Sequence, residues 1–518
     1  MGLKFIKLAW EAFLRLARFG VLLWDKRKEL NKWMAARYTS GFLALLGTAV
    51  CLVIAVIALL TPPYLGVAND SLGNTKMSEF GLLYRESDRG EDPDYFAPNE
   101  YFTRSYEIYR DAQPIHSSQN LFVRLAMALN SLFTSDNLFD VRFLALLYLI
   151  LYLPAVYLVL KAALERVSYF SEAAAIVILG TIMFSDISYL AYFNSLYADP
   201  LIFICILYIA GAALGMHKEK KSEIGLQLVF TLAAALLCLL EKRFFLCGIL
   251  CAILIGSQVR VLAGSSRKIV TGGFAVILIA CSVLGFYWCG EEFDEISKVH
   301  AVTRGILLEE QNPDRVLESM DIDVSYSLLT DQSLYDYYPV AEISNPLLHE
   351  EFLDKYSTMD IALYYLKNPG AIIAMWNNGL RSALNLQRSY CGNYERSVGM
   401  PPMAKSLFWS MWGAFRQRSI PSTIGYLAVL IIAYTAMSGG KVFNRKAVQR
   451  WDYIYFITML AITAIGLCDI SCVIFRSGDA QLVQFSMPFG VTMDLLLYYT
   501  VAEILHKLNI LEGKHEEQ

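Results

Sequence analysis

Two neighbouring residues, Asn69-Asp70, follow the first strongly apolar run of the chain, at 41–60. If that run crosses a bilayer outward, Asp70 stands at the outer membrane surface. It then lies at the mouth of a loop that runs about eighty residues to the next apolar run. A carboxylate held at a lipid boundary, at the mouth of a large loop, suits chemistry on a lipid-attached substrate. Read alone, Asp70 is an acidic turn residue after Thr61-Pro62-Pro63, so the rest of the chain must decide.

Two further clusters carry groups suited to such chemistry. One runs from Asp186 through Asn194, Tyr197 and Asp199 to Pro200, joining a third apolar run to a fourth by a turn of a few residues. A carboxylate near a helix centre costs about 2.5–3.5 kcal/mol on insertion scales, which makes Asp186 a functional candidate; its plain alternative is a snorkelling or capping residue. Asp199 before Pro200 is also an ordinary helix start, with Asp as N-cap and Pro at N1, and capping and catalysis do not exclude each other. The other cluster is Arg476-Ser477-Gly478-Asp479. Lys242 and Arg243 sit in a very short loop flush with the membrane, where a lipid phosphate would lie. Arg offers phosphate a planar fork and Lys a point charge, against the simpler reading that each snorkels at a span end. His116, His300 and His349 are scattered without metal-ligand spacing, which argues against a zinc site, and His116-Ser117-Ser118 is no triad without a placed acid. Asp469 can pair with a cation between helices or lie near water.

The elements that must position these residues are membrane helices. The chain of 518 residues is 56% apolar and 18% charged with a mean hydropathy of +0.42, the composition of an integral membrane protein. A net charge of -4 and a pI near 6.0 argue against nucleic acid as a partner. Roughly ten spans are expected, at about 41–60, 143–162, 173–192, 199–216, 224–240, 244–258, 269–289, 421–438, 452–475 and 485–505. The pair at 224–258 is short and reads as a hairpin closed by Glu241-Lys242-Arg243. Residues 3–24 read instead as an amphipathic helix lying in the interface, within an N-terminal segment 1–40, and no cleavable signal peptide is visible.

Basic residues set the orientation. Lys26-Arg27-Lys28, then Lys218, Lys220 and Lys221, then Arg260, Arg267 and Lys268, then Lys441, Arg445, Lys446 and Arg450 fall on one side, assigned to the cytoplasm. Both termini, including the tail 506–518, are then cytoplasmic. The N-terminal module 41–289 sends out a large first loop at 61–142. A helical subdomain at 290–420 lies on the outer membrane face before the C-terminal spans 421–505. Both large loops are expected to be mainly helical, making the protein an all-α polytopic membrane protein. Interfacial aromatics such as Tyr335, Tyr337, Tyr338, Trp376, Trp409 and Trp412 suit the second loop's place on the membrane. Most of the ten cysteines fall in apolar runs, where a thiol acts as a small hydrophobe. Cys289 and Cys391 alone fall in or beside an outer loop, and nothing in the sequence shows that they meet.

Taken together, these residues resemble the GT-C superfamily of membrane glycosyltransferases, which use polyprenyl-phosphate-linked sugars on the outer face. The chain is most similar within it to bacterial hexose transferases of cell-surface and S-layer glycan clusters. The likeness runs from about residue 41 to 500. It rests on Asn69-Asp70, on the run His116-Ser117-Ser118-Gln119-Asn120-Leu121-Phe122-Val123, and above all on Asp186-x-x-Tyr189-x-x-Tyr192-Phe193-Asn194-Ser195-x-Tyr197-x-Asp199. Asn312-Pro313-Asp314, Asn368-Pro369, Gly392-Asn393-Tyr394-Glu395 and Gly478-Asp479-Ala480 through Asp494 add to it.

The resemblance implies Asp70 as general base, Asp199 as an acid supporting acceptor or base, and Lys242 as a contact to the donor phosphate. Asn69, Asp186, Asn194, Tyr197, Arg243, Arg476 and Asp479 are the remaining substrate-binding candidates. Relatives often carry Lys-His where this chain has Gln484-Phe485, and often Asn at Gly490, so Arg476 stands as a substitute phosphate contact. The implied reaction is inverting transfer of a hexose from a polyprenyl-phosphate donor to a cell-surface glycan or lipid-linked acceptor, in the plasma membrane with the site facing outside. No cofactor is required; a divalent metal is permitted but not demanded. The competing readings are a glycan-lipid transporter or flippase, a noncatalytic assembly partner, and a polymerase or ligase with a lipid-diphosphate donor. A transporter would favour repeated halves, which are not apparent.

Overall fold

The computed structural model describes residues 38–85, 95–103, 115–134, 137–167, 169–216, 222–260, 265–291, 293–334, 345–443 and 450–516. The amphipathic helix expected at 3–24, the basic residues 26–28, Lys218, Lys220, Lys221, Arg445 and Lys446, and Tyr335, Tyr337 and Tyr338 lie outside them.

Helices form at each of the ten expected apolar runs. Six are long and apolar enough to cross a membrane by length and composition: Ser40–Leu60, Arg142–Leu164, Phe170–Asn194, Arg267–Trp288, Arg450–Ser477 and Met487–Leu508. A bent pair, Met411–Ser419 with Ile424–Gly439, turns by 108° and makes up to seven. The rest are shorter: Asp199–Gly215 and Ser222–Cys238 have 17 residues each, and Phe245–Ser257 has 13. The last two are joined by the 3-10 turn Lys242–Phe244, a hairpin as the sequence suggests.

Local chemistry explains the boundaries. The Thr39 hydroxyl accepts from the Phe42 N–H to start the first span, and Thr61, ahead of two prolines, is extended and ends it. Asp199–Gly215 is apolar all round and buried along nearly its whole length, packed between Arg142–Leu164, Ser222–Cys238 and Met487–Glu516. Its N-cap is Ala198, so Asp199 is the first helical residue rather than the cap. The third run breaks earlier than its hydropathy suggests. The helix Phe170–Phe184 stops at Ser185, and extended Asp186 caps a new turn, Ile187–Leu190, by accepting from the Ser188 N–H at 2.9 Å.

The described residues of the segment 61–142 are not helical alone. They hold the helices Ser71–Glu79 and Gln119–Phe133 and a small antiparallel sheet of β1 (Leu82–Tyr84), β2 (Glu100–Thr103) and β3 (Leu138–Asp140), in that order. Strands of three or four residues are too short to show a period of two in the sequence. The segment 290–420 is helical, with Pro369–Leu384 its longest element and a Ser357–Asp360 capping box before Thr358–Lys367. All ten cysteines are free, Cys289 and Cys391 included.

Candidate functional site

One end of the helix bundle gathers loops that are far apart in sequence. The Gly66 and Ala68 N–H groups donate to the Asn393 and Gly392 carbonyls, both at 3.0 Å, and the Asn393 amide returns a bond to the Gly66 carbonyl at 2.8 Å. Gly392 suits this seam because a Cβ there would lie 2.2 Å from the Tyr95 carbonyl oxygen. Two motif residues tie the neighbouring turn. The Asn194 amide donates to the Leu59 and Leu65 carbonyls at 3.0 and 2.9 Å, and the Gln119 amide donates to the Leu196 and Tyr197 carbonyls, both at 2.8 Å.

These seams place Asp70. Its carboxylate is buried and surrounded by donors. Oδ1 faces the Tyr197 hydroxyl at 2.9 Å and accepts from the Gly73 N–H at 3.1 Å. Oδ2 pairs with the Arg388 guanidinium at 2.5 Å and accepts from the Gln484 amide at 3.2 Å and the Tyr390 hydroxyl at 3.3 Å. The Asp70 N–H donates to the Tyr197 oxygen at 2.8 Å, and Arg388 stacks on the Tyr197 ring, 4.2 Å from its centroid. Burial works against the Arg388 charge, but Tyr197, Asp70, Tyr192 and Asp199 raise its pKa well above the ordinary value, so it stays a cation. Asn69 lies beside this shell, its amide donating to the Tyr101 hydroxyl at 3.2 Å.

A cleft of about 490 Å³ opens beside the shell. Tyr197 and Gln484, both partners of Asp70, reach its wall together with Asp199, Arg243, Glu291 and His116. Asp199 makes no hydrogen bond or ion pair to another side chain among the described residues. Lys242 pairs with Glu291 at 2.8 Å beside the cleft, and Arg476 also pairs with Glu291, so the two cations expected to meet a phosphate converge on one carboxylate. Arg243 lines the cleft but is committed elsewhere. It donates to both Asp469 oxygens at 3.0 and 3.1 Å, to the Phe485 carbonyl at 3.2 Å and to Glu241 at 2.6 Å, giving Asp469 its interhelical cation.

Three expected contacts are engaged within the protein. Asn194 holds the turn described above. Asp479 pairs with Arg304 at 2.8 Å, and its N–H donates to the Arg304 carbonyl, anchoring the 290–334 segment. Asp186 accepts from the Ser188 and Gly413 N–H groups at 2.9 and 3.0 Å. Conversely, Arg388, Tyr390 and Glu291 were not among the expected site residues, and Gln484 was expected only as a departure. The sequence does hold one signal for Arg388: it is the only charged residue between Arg381 and Glu395. Among the described residues no three His, Cys, Asp or Glu side chains come together as a metal site.

The arrangement is that of a polytopic helical membrane protein with a buried carboxylate beside a cleft at one end of its helices. Residues 26–518 match the family described as YfdI N-terminal transmembrane domain, and the chain belongs to that family. No curated protein and no solved structure matches it.

Proposed function

We propose that the protein is a membrane glycosyltransferase that moves a hexose from a polyprenyl-phosphate donor to a cell-surface glycan or lipid-linked acceptor, with inversion, on the extracytoplasmic face. The observation that carries this reading is Asp70, a buried carboxylate held by Arg388, Tyr197, Tyr390 and Gln484 beside the cleft that Lys242 and Arg476 flank. In the ten-span reading this end of the bundle lies away from the short basic loops, which supports an outward-facing site.

The acceptor hydroxyl attacks the anomeric carbon, the bond from that carbon to the phosphate oxygen breaks, and its electron pair leaves on the lipid phosphate. The hydroxyl proton passes to Asp70. Arg388 at 2.5 Å fixes the carboxylate, whereas the Gln484 and Tyr390 contacts at 3.2 and 3.3 Å are long for charge-assisted bonds. An acceptor hydroxyl that replaces either one reaches Oδ2 without disturbing the ion pair. Lys242 and Arg476 exchange Glu291 for the phosphate and neutralise charge as it departs. Asp199, open to the cleft, orients the acceptor.

Transfer from synthetic polyprenyl-phosphate hexoses to crude surface-glycan acceptors, wild type against Asp70→Asn, tests the proposal. Transfer lost in a variant that still inserts and folds is the expected result. Equal transfer in both would remove Asp70 from the chemistry. No transfer by either, across several sugars and acceptors, would return the protein to the transporter reading.

A further inference from the structure

A second cavity, of about 400 Å³, borders the Asp70 shell from another side. The segment 385–390 connects the two. Arg388 sends its side chain to Asp70, while its neighbours Gln387 and Ser389 line the cavity. Lys405 also lines it and donates to the Arg388 and Cys391 carbonyls, fixing the backbone that aims Arg388. Asp186, at its wall, is already satisfied by two N–H groups.

What remains unspent is two amides, one hydroxyl and one cation. The side chains of Asn385, Ser389, Gln417 and Arg418 line the cavity and make no hydrogen bond or ion pair among the described residues. Arg416 lines it too, 1% exposed, with Nε unpartnered although its other nitrogens bond Tyr189, Asp494 and Ala383. Side-chain amides and a hydroxyl that line a cavity without protein partners offer a polar ligand its hydrogen bonds. Amides and hydroxyls both donate and accept, as sugar hydroxyls do; a bare phosphate would call for donors alone. The exposed Leu407, Phe408, Met411 and Phe415 fall in the same segment, and large apolar side chains of this kind suit the membrane interface.

We infer that this cavity binds a saccharide of the acceptor, next to the sugar that receives the transferred hexose. The inference rests on the transferase reading. Lipid-free and lipid-linked acceptors share this chemistry, so both are measured. The test is the double variant Asn385→Ala/Gln417→Ala, whose two side chains are half-buried and exposed, so folding is not at stake.

Acid-released surface-glycan oligosaccharides are titrated onto the full-length protein in detergent and followed by saturation-transfer NMR. Acceptor KM is measured in parallel with the lipid-linked glycan. The expected result is oligosaccharide binding in the wild type that weakens about tenfold in the variant, as loss of one or two hydrogen bonds predicts. Acceptor KM should rise by a similar factor while donor KM holds. Unchanged binding and KM would overturn the cavity as a saccharide site and leave the transferase standing. Binding that depends on Asn385 and Gln417 in a protein that transfers nothing would keep the saccharide site and remove the transferase.

Discussion

The two ends of the helix bundle treat charge differently. At the end away from the cleft, named acids are matched with basic side chains on other elements. Arg166 bridges Asp452 at 3.1 Å and Glu503 at 2.6 Å, Arg450 pairs with Glu223, and His506 meets Glu172 at 3.1 Å. Each set joins helices distant in sequence, so its work is to fix their packing. At the cleft end, Asp70 and Arg388 form an equally buried pair, but long, replaceable contacts surround it, and Asp199 stands beside it uncommitted. Closed charge sets hold a structure; a set with replaceable members can also exchange a partner for a substrate.

Breaking the Asp70–Arg388 pair should have the largest effect. Asp70→Asn is expected to slow transfer by about 10²–10⁴-fold, the usual yield of a positioned general base. Arg388→Met alone strands a buried carboxylate and should destabilise the protein by about 3–5 kcal/mol. The Asp70→Asn/Arg388→Met double variant should regain most of that stability, read as a thermal midpoint in detergent, without regaining transfer. A double variant that regains transfer would reduce the pair to a fastening like those at the other end.

Arg166→Met is the matching cut at the closed end. It leaves Asp452 and Glu503 without their cation and is expected to cost about 3 kcal/mol, somewhat less than a wholly enclosed pair because Arg166 keeps some solvent contact. Transfer per folded molecule should hold. A fall in kcat with no change in thermal midpoint would mean that the two ends communicate.

How much of this contrast the sequence carries depends on the range over which each element is encoded. Apolar runs are local, so helices stand close to where hydropathy puts them: Ser40–Leu60 for 41–60, Arg142–Leu164 for 143–162, Arg450–Ser477 for 452–475. Asp70 and Asp199 attract notice because each stands at the end of an apolar run, where a carboxylate meets the lipid boundary. Arg388 is different. It meets Asp70 across 318 residues, from a segment with no periodicity, and only folding brings them together. Arg243 looked like a phosphate ligand from its place in a short loop. In the fold it lines the cleft and donates to Asp469, 226 residues on in another apolar run, where the sequence leaves open a cation between helices or a place near water.

A pH profile separates the segment 290–334 from the cleft it borders. His300 is buried and accepts the Leu334 N–H at Nε2, 2.9 Å away, which requires the neutral ring. Burial, helped by Arg304, lowers its pKa to about 4. Between that value and the ordinary 6.5 the unfolded chain binds a proton that the native one refuses. Stability is therefore complete above pH 6.5 and falls as pH drops toward 4, by an amount on the order of 3 kcal/mol. Hydrogen exchange in residues 295–334 should accelerate over that window in wild type and show no such step in His300→Gln. A step that persists in the variant would assign it to another group.

Asp199→Asn gives the smallest change and the sharpest test of the contrast. Asp199 is buried at the cleft wall and makes no hydrogen bond or ion pair to another side chain among the described residues, so its replacement by an isosteric amide should change stability by at most about 1 kcal/mol. If it orients the acceptor hydroxyl, transfer should fall about 10–100-fold, the worth of one hydrogen bond to a charged group, mainly through acceptor KM. A large loss of stability would show that Asp199 belongs to a closed charge set after all. A fall in kcat as deep as that of Asp70→Asn would move the proton's destination from the enclosed carboxylate to the open one. Arg388 would then hold Asp70 as a fixed negative charge near the reacting anomeric carbon rather than as the base.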